Sequence, residues 1–422
     1  MDGICTMGRP SGARAWSAIA VAAALACAAS CAGSADTNRP ALLPDVGAPP
    51  RLVAVSVNSA RRAALRNADL VTNLVNGLPR STDFLVLMND RPAFTVVRHD
   101  QPGRVRFLDV PSVNATTIWT QDPFLVLSTA KGEVTLLMSR DFERADDRVM
   151  AEVISRATGY RVQRSGLFFE GGNIVSDADR VLIGADTIRR NALELDVAEQ
   201  EVVLRFEEQL GRPVLVVGPV PQPIPHIDMM LTPLGDRAIL VADTGAGARI
   251  AEHAMEDDPE AVAEFERRTE EQFFGDPSVR QVNGRKGPLV APRLQGRTRD
   301  MIARSRELAP VLDEVARSLE AYGYRVVRMP LLFGGPDVDQ SVPGDNRPLQ
   351  AGYPMLTYNN VLLAEDAGAK RVYLPRYGWA PMDAAATQVW EALGFATRAI
   401  DGFTISAMYG GALRCSVKVL AR

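Results

Sequence analysis

Apolar residues along this chain gather into short runs of strand character, separated by stretches with helical spacing. From Arg51 onward, RLVAVSV, FLVLM, VRFLDV, FLVLS and EVTLLM are rich in Val, Leu and Phe and read as strands. Helical spacing predicts a helix over Ala60–Gly77 and a second over Ala145–Thr158. The pattern then recurs. GGNIVSDADRVLIGAD leads to a helix near Leu195–Leu210; PVLVVG, IDMMLTPL and RAILVAD lead to helices near Pro259–Phe273 and Met301–Tyr322. VVRM, TYNNVLLAE and RVYLP lead to a helix over Ala384–Leu393, and AMYGGAL and RCSVKVL are expected to close the chain as strands. About five strand-rich units, each with one major helix, fit this α/β pattern, although no residue-level repeat is visible. No Gly/Ser linker or charge run divides the body, so a single domain over 51–422 is expected. Ala246–Arg299, charged and loop-rich, reads as an insertion within one unit.

The N-terminus has a different character. Arg9 and Arg14 precede the apolar run Ala15–Ala26, which is too short to span a bilayer and is followed by small residues. Residues 1–31 are therefore expected to be a signal peptide, directing the protein to the bacterial envelope or outside the cell. In ALACAASC, both Cys27 and Cys31 follow small residues and resemble a lipoprotein processing site, so lipidation and ordinary cleavage both stay open. The Pro-, Ala- and Asp-rich stretch 32–50 reads as a flexible linker. A membrane enters this reading only through an N-terminal lipid.

Composition narrows the function. The 422 residues are 46% hydrophobic and 23% charged, as in a folded globular protein, and the net charge of −4 gives no general attraction to nucleic acid or anionic lipid. There are four cysteines. Processing before Cys31 would leave Cys415 as the only free thiol, either inert and buried or kept for chemistry.

Polar residues beside Gly or Pro at the ends of strand-like runs carry the chemical signal: WTQDPF with Asp122, FFEGGN with Glu170, PIPHIDMM with His226 and Asp228, and the terminal Cys415. In an extended segment His226 and Asp228 would share one face. His99 and His253, the remaining histidines, lie in polar loop-like contexts. Together these groups suit a guanidinium, a planar cation with a fixed fork of N–H donors that calls for at least two carboxylates in its plane. Asp122, Asp228 and Glu170 could supply them. Cys415 could attack the guanidinium carbon, and His226 could protonate departing ammonia. With acids clustered, an empty site is expected to be strained by repulsion.

In this order, W-x-x-D, E-G-G-N, H-x-D and a late cysteine after a Gly pair, the chain resembles the guanidino-group modifying enzymes, over about 51–422. These include arginine, agmatine and peptidylarginine deiminases, dimethylargininases and amidinotransferases. The resemblance implies a five-bladed pseudo-symmetric α/β propeller, the pentein fold. It implies catalytic roles for Cys415, His226, Asp228, Asp122 and Glu170, and substrate contacts from Asp122, Asp228, Glu170, Trp119 and Asn173. It requires no cofactor and no metal; calcium belongs to some relatives, but its ligands are not recognisable in this sequence. Gln121 before Asp122, the stretch MPLLF and the later YPMLTYNNVLL are similar to peptidylarginine deiminases, which points to arginine in a protein or peptide. EGGN is instead similar to agmatine and arginine deiminases, so agmatine or free arginine stays open as substrate. The same groups would also serve an amidinotransferase, or a non-catalytic envelope protein that binds Arg-bearing ligands. Many relatives carry His before the nucleophile; here Arg414 stands there, and in a strand it would point away from Cys415 as a surface cation. The Gly-, Pro- and Asp-rich loop Phe333–Pro348 could cover a cleft or be an acidic surface loop.

Overall fold

Five separate sheets of three or four strands make up the strand content of a computed structural model, which describes residues 39–57, 64–88, 97–98, 103–111, 116–274, 297–334, 355–408 and 410–422. Each sheet repeats one plan: an antiparallel pair, then a helical crossover to a third strand parallel to the second. Sheet I is built on Phe124–Ser128, Val134–Met138 and Arg161–Arg164, with helix Val149–Thr158 in the crossover. Sheet II uses Ile174–Ser176, Val181–Gly184 and Val214–Val217 around helices Ala185–Leu195 and Glu199–Leu210. Sheet III uses Leu231–Gly235, Ala238–Asp243 and Arg325–Pro330. Sheet IV uses Leu362–Asp366, Ala369–Pro375 and Ala396–Ile400, with helix Ala380–Ala392. In sheet V the last strand, Lys418–Ala421, lies antiparallel to Leu52–Val57, which continues through helix Ala64–Gly77 to the parallel strands Asp83–Met88 and Val105–Asp109.

The central strands read as unbroken apolar runs because both of their faces are covered, whereas outer strands such as Arg161–Arg164 and Ala396–Ile400 are largely exposed. In sheet V, Val53, Val55 and Val57 join the core that includes Leu70, Val71 and Leu74 of the neighbouring helix. Ala54, Leu85 and Leu87 face the other way, into a core shared with Phe124 and Val126 of sheet I. Leu125 and Leu127 meet Val181 and Ile183 of sheet II in the next core, and Leu182 of sheet II meets Ile239 and Val241 of sheet III in another.

Several sequence expectations need correction. The predicted linker 32–50 is not free over its second half: Ala41–Leu42 pairs with Phe124–Ser128, and the compact unit begins at Asn38. The supposed loop-rich insertion begins as two helices, Thr244–Asp257 and Pro259–Phe274, which with Arg297–Ala321 form the crossover of sheet III. Asp243 starts the first by accepting from Ala246 N at 2.7 Å, a cap the charge-rich pattern obscured. AMYGGAL and the start of RCSVKVL are not strands; Thr404–Met408 and Leu413–Ser416 are short helices. The proposed signal peptide, and residues 335–348 of the proposed covering loop, lie outside the described residues. No described helix is long and apolar enough to cross a membrane.

Candidate active site

The repeated plan decides where the chemistry sits. A polar residue lies in the tight segment just before the first strand of each sheet: Asp122 before Phe124–Ser128, Glu170 before Ile174–Ser176, Asp228 before Leu231–Gly235, Asn360 before Leu362–Asp366 and Cys415 before Lys418–Ala421. Two of these segments are 3₁₀ turns, Gly171–Asn173 and Ile227–Met229, and Cys415 lies in the one-turn helix Leu413–Ser416. His226 precedes its turn in extended conformation.

Glycine in the EGGN motif is required by close approach. A Cβ at Gly172 would stand 2.5 Å from His226 Nδ1 and 3.0 Å from Asp122 Oδ1. That space lets the Gly172 N–H donate to Asp122 Oδ1 at 3.1 Å, while Gly171 N–H donates to Asp122 backbone O at 2.9 Å. His226 is thereby set between two acids. Its Nε2 lies 2.9 Å from Glu170 Oε2 and its Nδ1 lies 3.7 Å from Asp122 Oδ1. Burial, the largest influence, would lower the His226 pKa, but Asp122, Glu170 and Asp228 outweigh it and raise it to about 9. The imidazole is cationic at neutral pH.

Cys415 is 3% exposed, and its Sγ lies 3.8 Å from Asp228 Oδ2 and 3.7 Å from Met229 Sδ. Asn360 grips it twice: the side-chain amide donates to Sγ at 3.1 Å, and its oxygen accepts from Cys415 N–H at 3.1 Å. Burial pushes the thiol well up, with Asp228 and Asp122 adding to the effect. It is not a thiolate at rest.

The acids do not confront each other bare, contrary to the expectation of an unrelieved repulsion, because two of the protein's own guanidinium groups meet them. Arg144 donates to Asp122 Oδ2 at 2.6 Å, to the buried Asp147 at 2.8 Å and to Glu170 Oε1 at 3.4 Å. Burial would raise Asp122, yet His226, Arg144 and the Gly172 N–H leave its carboxyl below the ordinary range. Arg414 donates to Asp228 Oδ2 and to Ile174 O, both at 2.9 Å, and to Asp45 Oδ1 at 2.8 Å. It is therefore not a surface cation: the helical turn directs it into the same site as Cys415. Burial still raises Asp228 despite this partner.

The structure thus gathers Cys415, Asp228, Asp122, His226 and Glu170 around one site. Trp119, partly buried, packs against the core that contains Cys415. Asn173 does not offer a free amide to a substrate: its oxygen accepts from Ile227 N–H at 3.2 Å and from Gln222, and its nitrogen donates to Thr187 at 2.7 Å. It holds the His226 turn. Sequence patterns do not single out Arg144, Asp147, Asp45 or Asn360. A signal for Asn360 does exist, since TYNNVLL occupies in its unit the place that TQDPF and EGGN occupy in theirs; Arg144 sits in RDFERADDR, which looks like any solvated charged stretch. Asp122, Glu170 and His226 also bring ligand atoms within 4.8 Å of one another, a set that could hold a metal ion, although Arg144 already neutralises two of them. A cavity of about 710 Å³, lined by Arg39, Gln163 and Arg205 among others, shares no residue with this cluster.

Strand-initial turns thus bring cysteine, histidine and carboxylates together on an α/β scaffold. In sequence the chain matches no protein-family model and no curated protein. Its fold is shared with solved structures of deiminases. It superposes on C. jejuni agmatine deiminase with a TM-score of 0.56 at 12% identity, covering 91% of this chain and 97% of that one. The agmatine deiminase of Enterococcus faecalis gives 0.57 at 14% identity, covering 90% and 95%. A candidate peptidyl-arginine deiminase gives 0.58 at 14% identity, covering 91% and 99%.

Proposed function

We propose that the protein hydrolyses a guanidino group to a ureido group and ammonia. The observation that carries this reading is the position of Cys415 beside Asp228 in one buried cluster with Asp122, Glu170 and a cationic His226. A guanidinium bound between Asp122 and Asp228 would add a positive charge where the thiol is now held protonated, and so draw out the thiolate, its proton passing to solvent. Sγ then attacks the guanidinium carbon. As the C–N bond breaks, His226 passes its proton to the leaving nitrogen, releasing ammonia and leaving a thiouronium on Cys415. Neutral His226, oriented by Glu170, takes a proton from water as the water attacks that carbon; the C–S bond then breaks as the added hydroxyl gives its proton to the departing sulfur, and Cys415 returns as the thiol with the ureido product. Asn360 supports the sulfur by its N–H. All the groups are side chains of the protein, so the chemistry needs no cofactor.

For the substrate we favour arginine within a protein or peptide, giving citrulline, on the strength of Gln121 before Asp122 and the YPMLTYNNVLL stretch. Agmatine is a full competitor, supported by EGGN and by the agmatine deiminases that share the fold. The serial packing of sheets V, I, II and III through shared cores supports a five-bladed propeller. The Arg9/Arg14 leader with its apolar run supports export to the envelope. The test is release of ureido product and ammonia from an N-blocked arginine ester, an arginine-rich protein, free arginine and agmatine, with Cys415→Ala as control. Cys415-dependent turnover of blocked or protein arginine supports the first substrate; turnover confined to agmatine or free arginine moves the reaction to small molecules. No turnover of any of them overturns the enzymatic reading. Suppression of ammonia release by added glycine would instead mark amidino transfer.

A further inference from the structure

Behind the nucleophile, three basic residues line a cavity of about 40 Å³: Arg414, Lys418 and Arg422, together with Asp45, Gln121 and apolar side chains. They recur every fourth residue through the final turn and strand. Their charges are not equally met. Arg414 takes both Asp45 and Asp228. Lys418, only 3% exposed, has no hydrogen-bonding or ion-paired partner among the described residues; its ammonium lies 5.1 Å from the centre of the Phe124 ring. Arg422 donates to the carbonyls of Ala48, Leu363 and Asp45, but its buried Nε has no acceptor, and it is paired with no carboxylate among the described residues. Asp122, Asp45 and Asp228 attract Lys418 without bonding to it, and a cation enclosed with no hydrogen-bond acceptor is costly, since burial removes its hydration. Burial, with Arg414 beside it, lowers Lys418 to about 7 against the pull of Asp122, Asp45 and Asp228, and burial lowers Arg422 to about 10 against that of Asp45.

We infer that this cavity is a binding site for one small inorganic anion, of the chloride class, held by the Lys418 ammonium and Arg422 Nε. The volume admits a single small ion and excludes any organic anion of several carbons. The two donors without partners are both cationic, so a negative ion would accept from both and bring a counter-charge into contact, which Asp45, Asp122 and Asp228 supply only from a distance. A bound anion would also draw on Arg414, which lines the same cavity and holds Asp228, linking the site to the turn that carries Cys415.

The test needs no turnover. At constant ionic strength, chloride is exchanged for gluconate, and the thermal unfolding midpoint is read for the wild type and for Lys418→Met. The midpoint should rise by several degrees with chloride, saturably, in the wild type alone. Crystals grown in bromide should show an anomalous peak in the cavity. Equal midpoints in the two salts, a rise that persists in Lys418→Met, or a cavity without bromide would each overturn the site, leaving Lys418 a neutral amine hydrated by water. Should Lys418→Met fail to fold, the bromide peak in the wild type decides alone.

Discussion

Arg144 and Asp122 share a hydrogen bond of 2.6 Å, so the carboxylate expected to hold a substrate guanidinium already holds one from its own chain. Arg144 is 30% exposed and also meets Glu170 and Asp147, which makes it an internal competitor for cations. Arg144→Ala should lower KM for a guanidino substrate while destabilising the fold by roughly 2–3 kcal/mol, because the buried Asp122 and Asp147 lose their partner. Kinetics and denaturant unfolding on one preparation check both halves.

Asp228 depresses the reactivity of the cysteine it serves. Its carboxylate, 3.8 Å from Sγ, adds to burial in raising the thiol, and Asp228→Asn removes that charge and leaves Arg414 without this partner. Alkylation of Cys415 at neutral pH should accelerate by about tenfold for each pKa unit recovered, while turnover is lost. A variant losing both reactivity and turnover would contradict the electrostatic account.

The alkaline limb of activity should belong to His226. Its folded pKa, about 9, lies above the ordinary 6.5, so the stability it contributes is full below 6.5 and is lost as pH rises through about 9. Proton donation to the leaving nitrogen fails over the same upper range. Glu170→Gln weakens the hold on the proton, and both the pH–rate limb and the imidazole titration followed by NMR should move downward together.

Gly172→Ala would place a methyl group 2.5 Å from His226 Nδ1. The ring must shift, and a displacement of about 1 Å in a catalytic acid costs on the order of 10²-fold in rate. We expect kcat to fall by that order, with Cys415 alkylation little changed.

Asn360→Ala leaves the Cys415 N–H buried without its acceptor and removes the donor to Sγ. The fold should lose about 1–3 kcal/mol. The thiol should rise further, slowing alkylation, which distinguishes this change from Asp228→Asn.

Where sequence and structure agree, the reason is local. The central strands are legible because both of their faces are buried, and the acids, His226 and Cys415 stand out as polar residues beside Gly or Pro at strand ends. Other contacts join residues remote in sequence: Asp45 and Arg414 are 369 positions apart, and no periodicity near either one announces the pair. Arg414 escapes a sequence reading for a simpler reason. Alternation along a strand does not apply to a residue that lies in a helical turn. A turn likewise breaks the assumption that His226 and Asp228 share an extended face; a 3₁₀ turn separates their backbones, and Asp122 and Arg414 decide where the two side chains meet the site.

Strand Lys418–Ala421 pairs with Leu52–Val57, the first strand of sheet V in sequence, and carries the nucleophile in on its leading turn. During synthesis that partner strand waits with an open edge while nearly the whole body is made. A copy interrupted before residue 413 holds four of the five strand-initial residues and has no thiol at the site. Reactivity at Cys415 would therefore report closure of sheet V as well as catalysis, and the long wait for a distant partner predicts that this closure is a late event in folding.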